Sequence, residues 1–294
     1  MNKTDINMVN DIYHILENGY IDDNPRPKYK DGSPAHTISV NQVVRRYDLS
    51  EGQFPICTLR PIAWKSAIKE IFWIYQDASN SLELLNDKYN IKYWNDWESK
   101  DIPSTIGERY GFTVNRYGLV DNLIKSIKED PFGRRKIMSL WQENDLRETD
   151  GLAPCAFLTM WNVRKNRNGK NYLDMTLIQR SGDMLTASGA GGVNEVQYAA
   201  LLMMIARHCD LLPGVFVHFV QNEQIYDRHI EQAEEMKHRY ETMLEDEYFH
   251  DKTYKTPYLK LNDEAKDFYT MTIDDFEMVD YEPVKPQLKL ELGI

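Results

Sequence analysis

Residues 61–77, PIAWKSAIKEIFWIYQD, place the tightest limit on the architecture. Their periodicity predicts a helix, with Pro61 suited to its first turn, and apolar positions occupy most of its circumference. A helix of that kind is largely buried and must be covered from several directions. The rest of the chain has to supply the cover. With 294 residues, 42% hydrophobic and 28% charged, it has the length and composition of a globular protein with a substantial core.

The spacing predicts further elements around that helix. A first helix ends near Gly19, residues 26–37 read as loop, and HTISVNQVVRRYDL alternates like a strand. NSLELLNDKY and residues 118–130 read as helices. Strands are expected over 135–141, 155–164 and 171–180, the last two joined as a hairpin through KNRNGK. Residues 194–214 predict a long apolar helix ending at Gly214, followed by the strand VFVHFVQNEQIY and the charged helix DRHIEQAEEMKHRYETML. Strands and helices mix without regular βαβ alternation, which points to one α+β domain spanning 1–294.

Charge and cysteine usage exclude several classes. A net charge of −11 argues against a broad nucleic-acid surface, so locally gathered arginines carry more information than usual. No apolar run reaches the roughly 18 residues of a membrane span, and the N-terminus has no secretory pattern. Cys57, Cys155 and Cys209 are widely spaced and odd in number, which fits a reducing cytoplasm and neither a disulfide framework nor a structural zinc site.

Several residues fit their elements poorly. Cys155 stands between Pro154 and an alternating strand, as either a core hydrophobe or a reactive thiol. Glu70 sits inside the apolar helix, either facing a solvent groove beside Lys69 or buried with a raised pKa useful for proton transfer. Arg134 and Arg135 lie at a strand start, where neighbours face opposite sides, so one points away from the protomer's own cleft. Arg180, Ser181 and Asp183 cluster at a strand end.

Taken together, APC, QRSGD, Asn194 with Tyr198 four residues later, the RR pair before a strand ending in Trp141, TIGERYG, QIYDRHIEQ and the tail DYEPVKPQLKLELGI resemble the thymidylate synthase family, in its Gram-positive bacterial and phage branch. The resemblance covers nearly the whole chain. It implies an α+β fold with a large mixed sheet flanked by helices, and a homodimer joined sheet to sheet. The implied reaction is reductive methylation of dUMP to dTMP, with 5,10-methylenetetrahydrofolate giving both carbon and hydride and no metal required. A hydroxymethylase of the same fold, acting on a dUMP- or dCMP-type nucleotide, is the alternative. A non-catalytic dimer binding nucleotide or RNA is the third reading.

The resemblance also assigns roles. Cys155 matches the nucleophile that adds to uracil C6, with a nearby arginine lowering its pKa. Arg180, Ser181 and Arg26 match phosphate ligands, and Arg134 and Arg135 match the pair donated across the dimer. Glu70 matches the proton relay at O4, Tyr110 the catalytic-water tyrosine, and Asn194 the reader of the base. Trp94 and Trp97 match the folate wall, Asp183 the pterin carboxylate, and Ile294 the closing tail. Three departures stand out. Ala156 follows the cysteine where many members have histidine, and Gln224 replaces the usual histidine beside Tyr226 at the sugar. The glycine-containing stretch 184–193 makes the Asp183–Asn194 spacing three residues longer than usual.

Overall fold

The computed structural model describes residues 2–293. In chain order the helices are α1 (Lys3–Asn18), α2 (Trp64–Ile71), α3 (Leu82–Tyr89), α4 (Gly111–Arg116), α5 (Leu119–Glu129), α6 (Glu143–Glu148), α7 (Val193–His208) and α8 (Ile230–His250). The strands are β1 (Tyr20–Ile21), β2 (Thr37–Asp48), β3 (Lys136–Ser139), β4 (Ala156–Lys165), β5 (Asn171–Gln179), β6 (Gly182–Asp183), β7 (Leu212–Tyr226), β8 (Tyr258–Leu261) and β9 (Phe276–Val279).

The apolar helix starts later than its sequence suggests. Pro61 lies outside it, and α2 continues into a π-turn over Phe72–Gln76, closed by the Asp77 N–H on the Phe72 carbonyl at 2.9 Å. Ala67, Ile68 and Ile71–Tyr75 are all buried. Their cover is α7, itself buried on almost every side and seated on β5 and β7. The second apolar helix is shorter than expected. It ends at His208, Asp210 reverses the chain at φ 54°, and Leu212–Gly214 belong to β7. Pairing of Leu212 and Pro213 with Tyr172 and Leu173 of β5 draws that apolar stretch into the sheet.

Seven strands form one sheet, ordered β1-β2-β7-β5-β4-β3 with β6 also on β7. The β4–β5 hairpin is as expected from KNRNGK. Strands β5 and β6 run parallel to β7 and the other pairs are antiparallel, so the sheet is mixed. A parallel return needs a crossover. Here β6, a π-turn over Met184–Ser188 and α7 supply it, which carries the chain from the end of β5 across the inner face. The short elements α4, α6, β8 and β9 have no periodic signature long enough to be seen in the sequence.

The inner face holds one charged cluster. Pleating places Val43, Arg45 and Tyr47 inward on β2. Arg45 is buried and donates to Asp11 at 2.6 Å, Glu195 at 2.7 Å, Glu223 at 2.8 Å and the Ser188 carbonyl at 2.6 Å. One cation faces three carboxylates, so the carboxyls do not share its stabilisation equally. Burial pushes Glu223 up to about 7 and also raises Asp11. Burial works against Glu195 too, but Arg45 and His218 outweigh it and hold Glu195 below its ordinary value.

On the opposite face two rows of side chains run across five strands. Val44, Phe219, Ile178 and Leu158 are successive cross-strand partners, as are Val217, Thr176, Met160 and Ile137. Val44 is 58% exposed and Ile137 55%. Apolar side chains this open on a sheet face are the signature of a surface made to be covered.

Candidate active site

Cys155 immediately precedes β4, and Arg180 immediately follows β5, its antiparallel neighbour. The hairpin therefore brings the two together, and the Arg180 N–H closes on the Cys155 carbonyl at 2.9 Å. The Arg180 side chain is fixed by the carbonyls of Pro154 (3.0 Å) and Ala153 (2.8 Å) and lies over the Trp141 ring. Its Nη2 reaches the Cys155 sulfur at 3.4 Å. Burial raises the thiol pKa, while Arg180 and then Arg26 pull it down. The arginine effect anticipated from the sequence is present, but burial wins, so the net direction is upward.

Tyr110 completes the thiol's surroundings. Its hydroxyl accepts the Cys155 backbone N–H at 3.3 Å, and the ring is buried. The residue takes φ 50° at the start of α4, an uncommon conformation for a bulky side chain. Gly111 permits the turn, because a Cβ there would lie 2.1 Å from the Ser79 carbonyl oxygen. Burial raises the Tyr110 pKa far above the ordinary phenol value.

Of the two positions open to Glu70, the structure selects burial: the residue is 7% exposed. Burial raises its pKa, opposed by the Tyr93 hydroxyl, which donates to the carboxylate, and by the neighbouring Gln197 and Trp94. The Trp94 Nε1 and Gln197 Nε2 atoms are themselves buried without a hydrogen-bond partner. Both donors face the Glu70 carboxyl, which is their polar neighbour in this corner.

Gln197 also ties this corner to Asn194, whose Nδ2 donates to Gln197 Oε1 at 3.0 Å. Asn194 Oδ1 accepts from Gln179 Nε2 at 3.2 Å. The half-buried Asn194 thus keeps one further donor and one further acceptor site for a ligand. Gln224 and the buried Tyr226 end β7, with the tyrosine pKa pushed up to about 12, chiefly by burial.

Trp94 and Trp97 stack edge to face at 5.6 Å, and Trp94 meets Tyr110 at 5.2 Å. Trp94 is also core, packed on Trp73, whereas Trp97 is half-buried. Asp183 caps the π-turn, accepting from the Thr186 N–H at 3.2 Å and from its hydroxyl. Buried His229 holds the tail through the Glu291 carbonyl at 2.7 Å and turns an unpartnered Nδ1 toward Asp183, 3.8 Å away. Ser181 is half-buried at the strand end. Ala190–Gly192 are buried, and a Cβ on Gly191 would lie 2.3 Å from the Cys57 nitrogen, so that part of the longer segment is packed inside.

Three arginines are not drawn in. Arg26 is exposed on its loop, near enough only to act electrostatically on Cys155 and Tyr226. Arg134 and Arg135 are both exposed ahead of β3, so neither turns into its own protomer's cleft. They precede the strand, and its alternation does not govern them. Ile294 lies outside the described residues. Sequence reasoning missed Tyr93, Gln179, Gln197, His218 and His229. Gln179, inside the QRS motif, and His229, inside QIYDRHIEQ, carried a local signal.

Comparison with known proteins gives one answer. A family model described as Thymidylate synthase matches residues 7–294. The chain is 49% identical over 295 residues to a thymidylate synthase of Streptococcus pneumoniae (strain 70585), covering 100% of each. It is 49% identical over 284 residues to that of Lactococcus lactis subsp. cremoris (strain SK11), covering 96% of each. Among solved structures, thermostable thymidylate synthase A from Bacillus subtilis superposes with a TM-score of 0.83 at 32% identity, covering 99% of each chain.

Proposed function

The chain belongs to the thymidylate synthase family, and on that premise we propose that it acts as one 294-residue catalytic domain whose chemistry is carried by Cys155, Arg180, Tyr110, Glu70 and Asn194. Its reaction is the methylation of dUMP to dTMP, and the hydroxymethylase alternative is not favoured. The observation that carries the residue assignment is the Arg180–Cys155 contact at 3.4 Å, with Tyr110 on the Cys155 backbone.

Cys155 adds through sulfur to C6 of the uracil ring. Electrons displaced by that addition move toward O4, where the raised pKa of Glu70 lets it hold and return a proton. Asn194 reads the base edge, and Gln224 with Tyr226 meets the sugar. Arg180, Ser181 and Arg26 hold the phosphate. The family's co-substrate, 5,10-methylenetetrahydrofolate, supplies carbon and hydride. The aromatic wall of Trp94 and Trp97 and the carboxylate of Asp183 suit a flat, polar-edged ring. The tail, held by His229 through the Glu291 carbonyl at 2.7 Å, closes over both ligands, which excludes water.

Dihydrofolate formation followed by absorbance tests the overall reaction. Stoichiometric dihydrofolate and dTMP are expected. A hydroxymethylated nucleotide without folate oxidation would overturn it.

The protein is a homodimer through the open face of its sheet, with Arg134 and Arg135 of each copy completing the other's phosphate site. Support comes from the two largely apolar rows that together span five strands and from the exposure of both arginines. No described helix is long and apolar enough to cross a membrane, and the enzyme works in the cytoplasm, where reduction keeps Cys155 free. Mixing Arg134→Ala with Cys155→Ala protein, each inactive alone, should restore about a quarter of wild-type sites, because half of random dimers are mixed and each mixed dimer holds one intact site. With subunit exchange verified, no recovery would place the arginines in their own protomer's site.

A further inference from the structure

The side chain that reads the base is oriented from behind by a buried chain of hydrogen bonds. Gln179 Nε2 contacts both Asn194 Oδ1 (3.2 Å) and the Ser181 carbonyl (3.0 Å). A backbone carbonyl can only accept, so the Gln179 atom facing it is the nitrogen, and Gln179 Oε1 faces the other way. That oxygen meets His218 Nε2 at 3.0 Å. An amide oxygen can only accept as well, so His218 carries its hydrogen on Nε2, and the tautomer protonated on Nδ1 alone is excluded. On its far side His218 Nδ1 lies 3.0 Å from Glu195 Oε1 and 3.4 Å from Arg45 Nη2, which places the ring against the charged cluster of the inner face. Gln179 is 2% exposed and His218 0%, so water cannot substitute for a missing partner.

We propose that His218 is a positioning residue for base selection: its Nε2–H fixes the Gln179 amide, which in turn fixes which atom of Asn194 accepts and which donates toward the pyrimidine edge. The proposal rests on the reading of Asn194 as base reader. With Oδ1 held toward Gln179 Nε2 and Nδ2 toward Gln197, Asn194 offers an acceptor to uracil N3–H and a donor to O4. Turning both amides over exchanges those atoms and presents a donor to N3 and an acceptor to N4, the pattern cytosine requires. His218 thereby blocks the wrong pattern without touching the nucleotide.

The test is kcat/KM for dUMP and dCMP in wild type, His218→Phe, His218→Gln and Asn194→Asp. Phenylalanine keeps the ring shape without the N–H, and glutamine returns an amide N–H near the Nε2 position. The dUMP preference should narrow about tenfold in His218→Phe, mainly through a raised KM for dUMP, and recover most of the way in His218→Gln. An equal change for both nucleotides in His218→Phe, or no recovery with glutamine, overturns the role. Should the phenylalanine variant not fold, ¹⁵N-histidine spectra of the wild-type enzyme decide, since a His218 protonated on Nδ1 and bare on Nε2 is incompatible with it. If Asn194→Asp shifts the preference and His218→Phe does not, only the His218 role falls. If neither does, the reading of Asn194 falls with it.

Discussion

Cys155→Ala and Cys155→Ser proteins are expected to lose turnover by at least about 10³-fold while still melting cooperatively and binding dUMP. The thiol's packing contribution is small: its residue is only partly buried, and among the polar contacts of its side chain, Arg180 at 3.4 Å and the Ala153 carbonyl at 3.9 Å, both are long. Arg180 keeps its bonds to the Pro154 and Ala153 carbonyls when the sulfur is gone, so its guanidinium stays where it is. Serine is the sharper of the two variants. Its hydroxyl has nearly the same shape but is a far weaker nucleophile at neutral pH. Single-turnover kinetics with dUMP binding measured in parallel would check this. Near-normal turnover in Cys155→Ala would remove the covalent step from the mechanism.

Arg45→Met is expected to cost about 3–5 kcal/mol of stability, the usual penalty for removing one partner from a buried ion cluster. The loss is large because Asp11, Glu195 and Glu223 all remain, packed around a side chain that no longer offers a charge. The penalty has a definite pH dependence. In wild type burial already pushes Glu223 up to about 7. Without Arg45, Asp11 and Glu223 are raised further and Glu195 loses the cation that chiefly holds it down, so the folded state binds more protons than the unfolded chain. Stability then falls as pH rises through the folded pKa values, and the variant should be weaker relative to wild type at pH 8 than at pH 5.5. Urea denaturation at the two pH values measures both quantities. An unchanged midpoint would mean that the cluster contributes little net energy.

What could be read from the sequence follows the length and regularity of each signal. The apolar helix ending in FWIYQ was legible because its periodicity continues over four turns, and Glu70 stood out as the one acid on it. The β4–β5 hairpin was legible from its turn residues. The end of α7 was not, since residues 209–214 are apolar enough for either helix or strand, and only pairing with β5 decides. Arg45 and His218 were hidden for another reason. VVRRYD looks like a solvated charge pair and VFVHFV like a plain core strand, because the partners that make a buried ion or imidazole acceptable lie about 150 and 20 residues away. The exposed Arg134 and Arg135 were legible as a pair, but their place depends on a surface that one chain does not complete.

The Arg45 cluster has a consequence for synthesis as well. Its members are residues 11, 45, 195 and 223, and apart from the two-residue β1 at one end, β2 finds its neighbour in β7. While the ribosome is delivering the first two thirds of the chain, β2 has no strand to pair with along its length and a guanidinium whose strongest partners do not yet exist. The nascent chain therefore cannot settle into its native core piecemeal, and closure waits until the tail end of β7 leaves the exit tunnel. A chain terminated before residue 223 lacks Glu223 and the end of β7, which leaves β2 without its long partner and the Arg45 cluster incomplete.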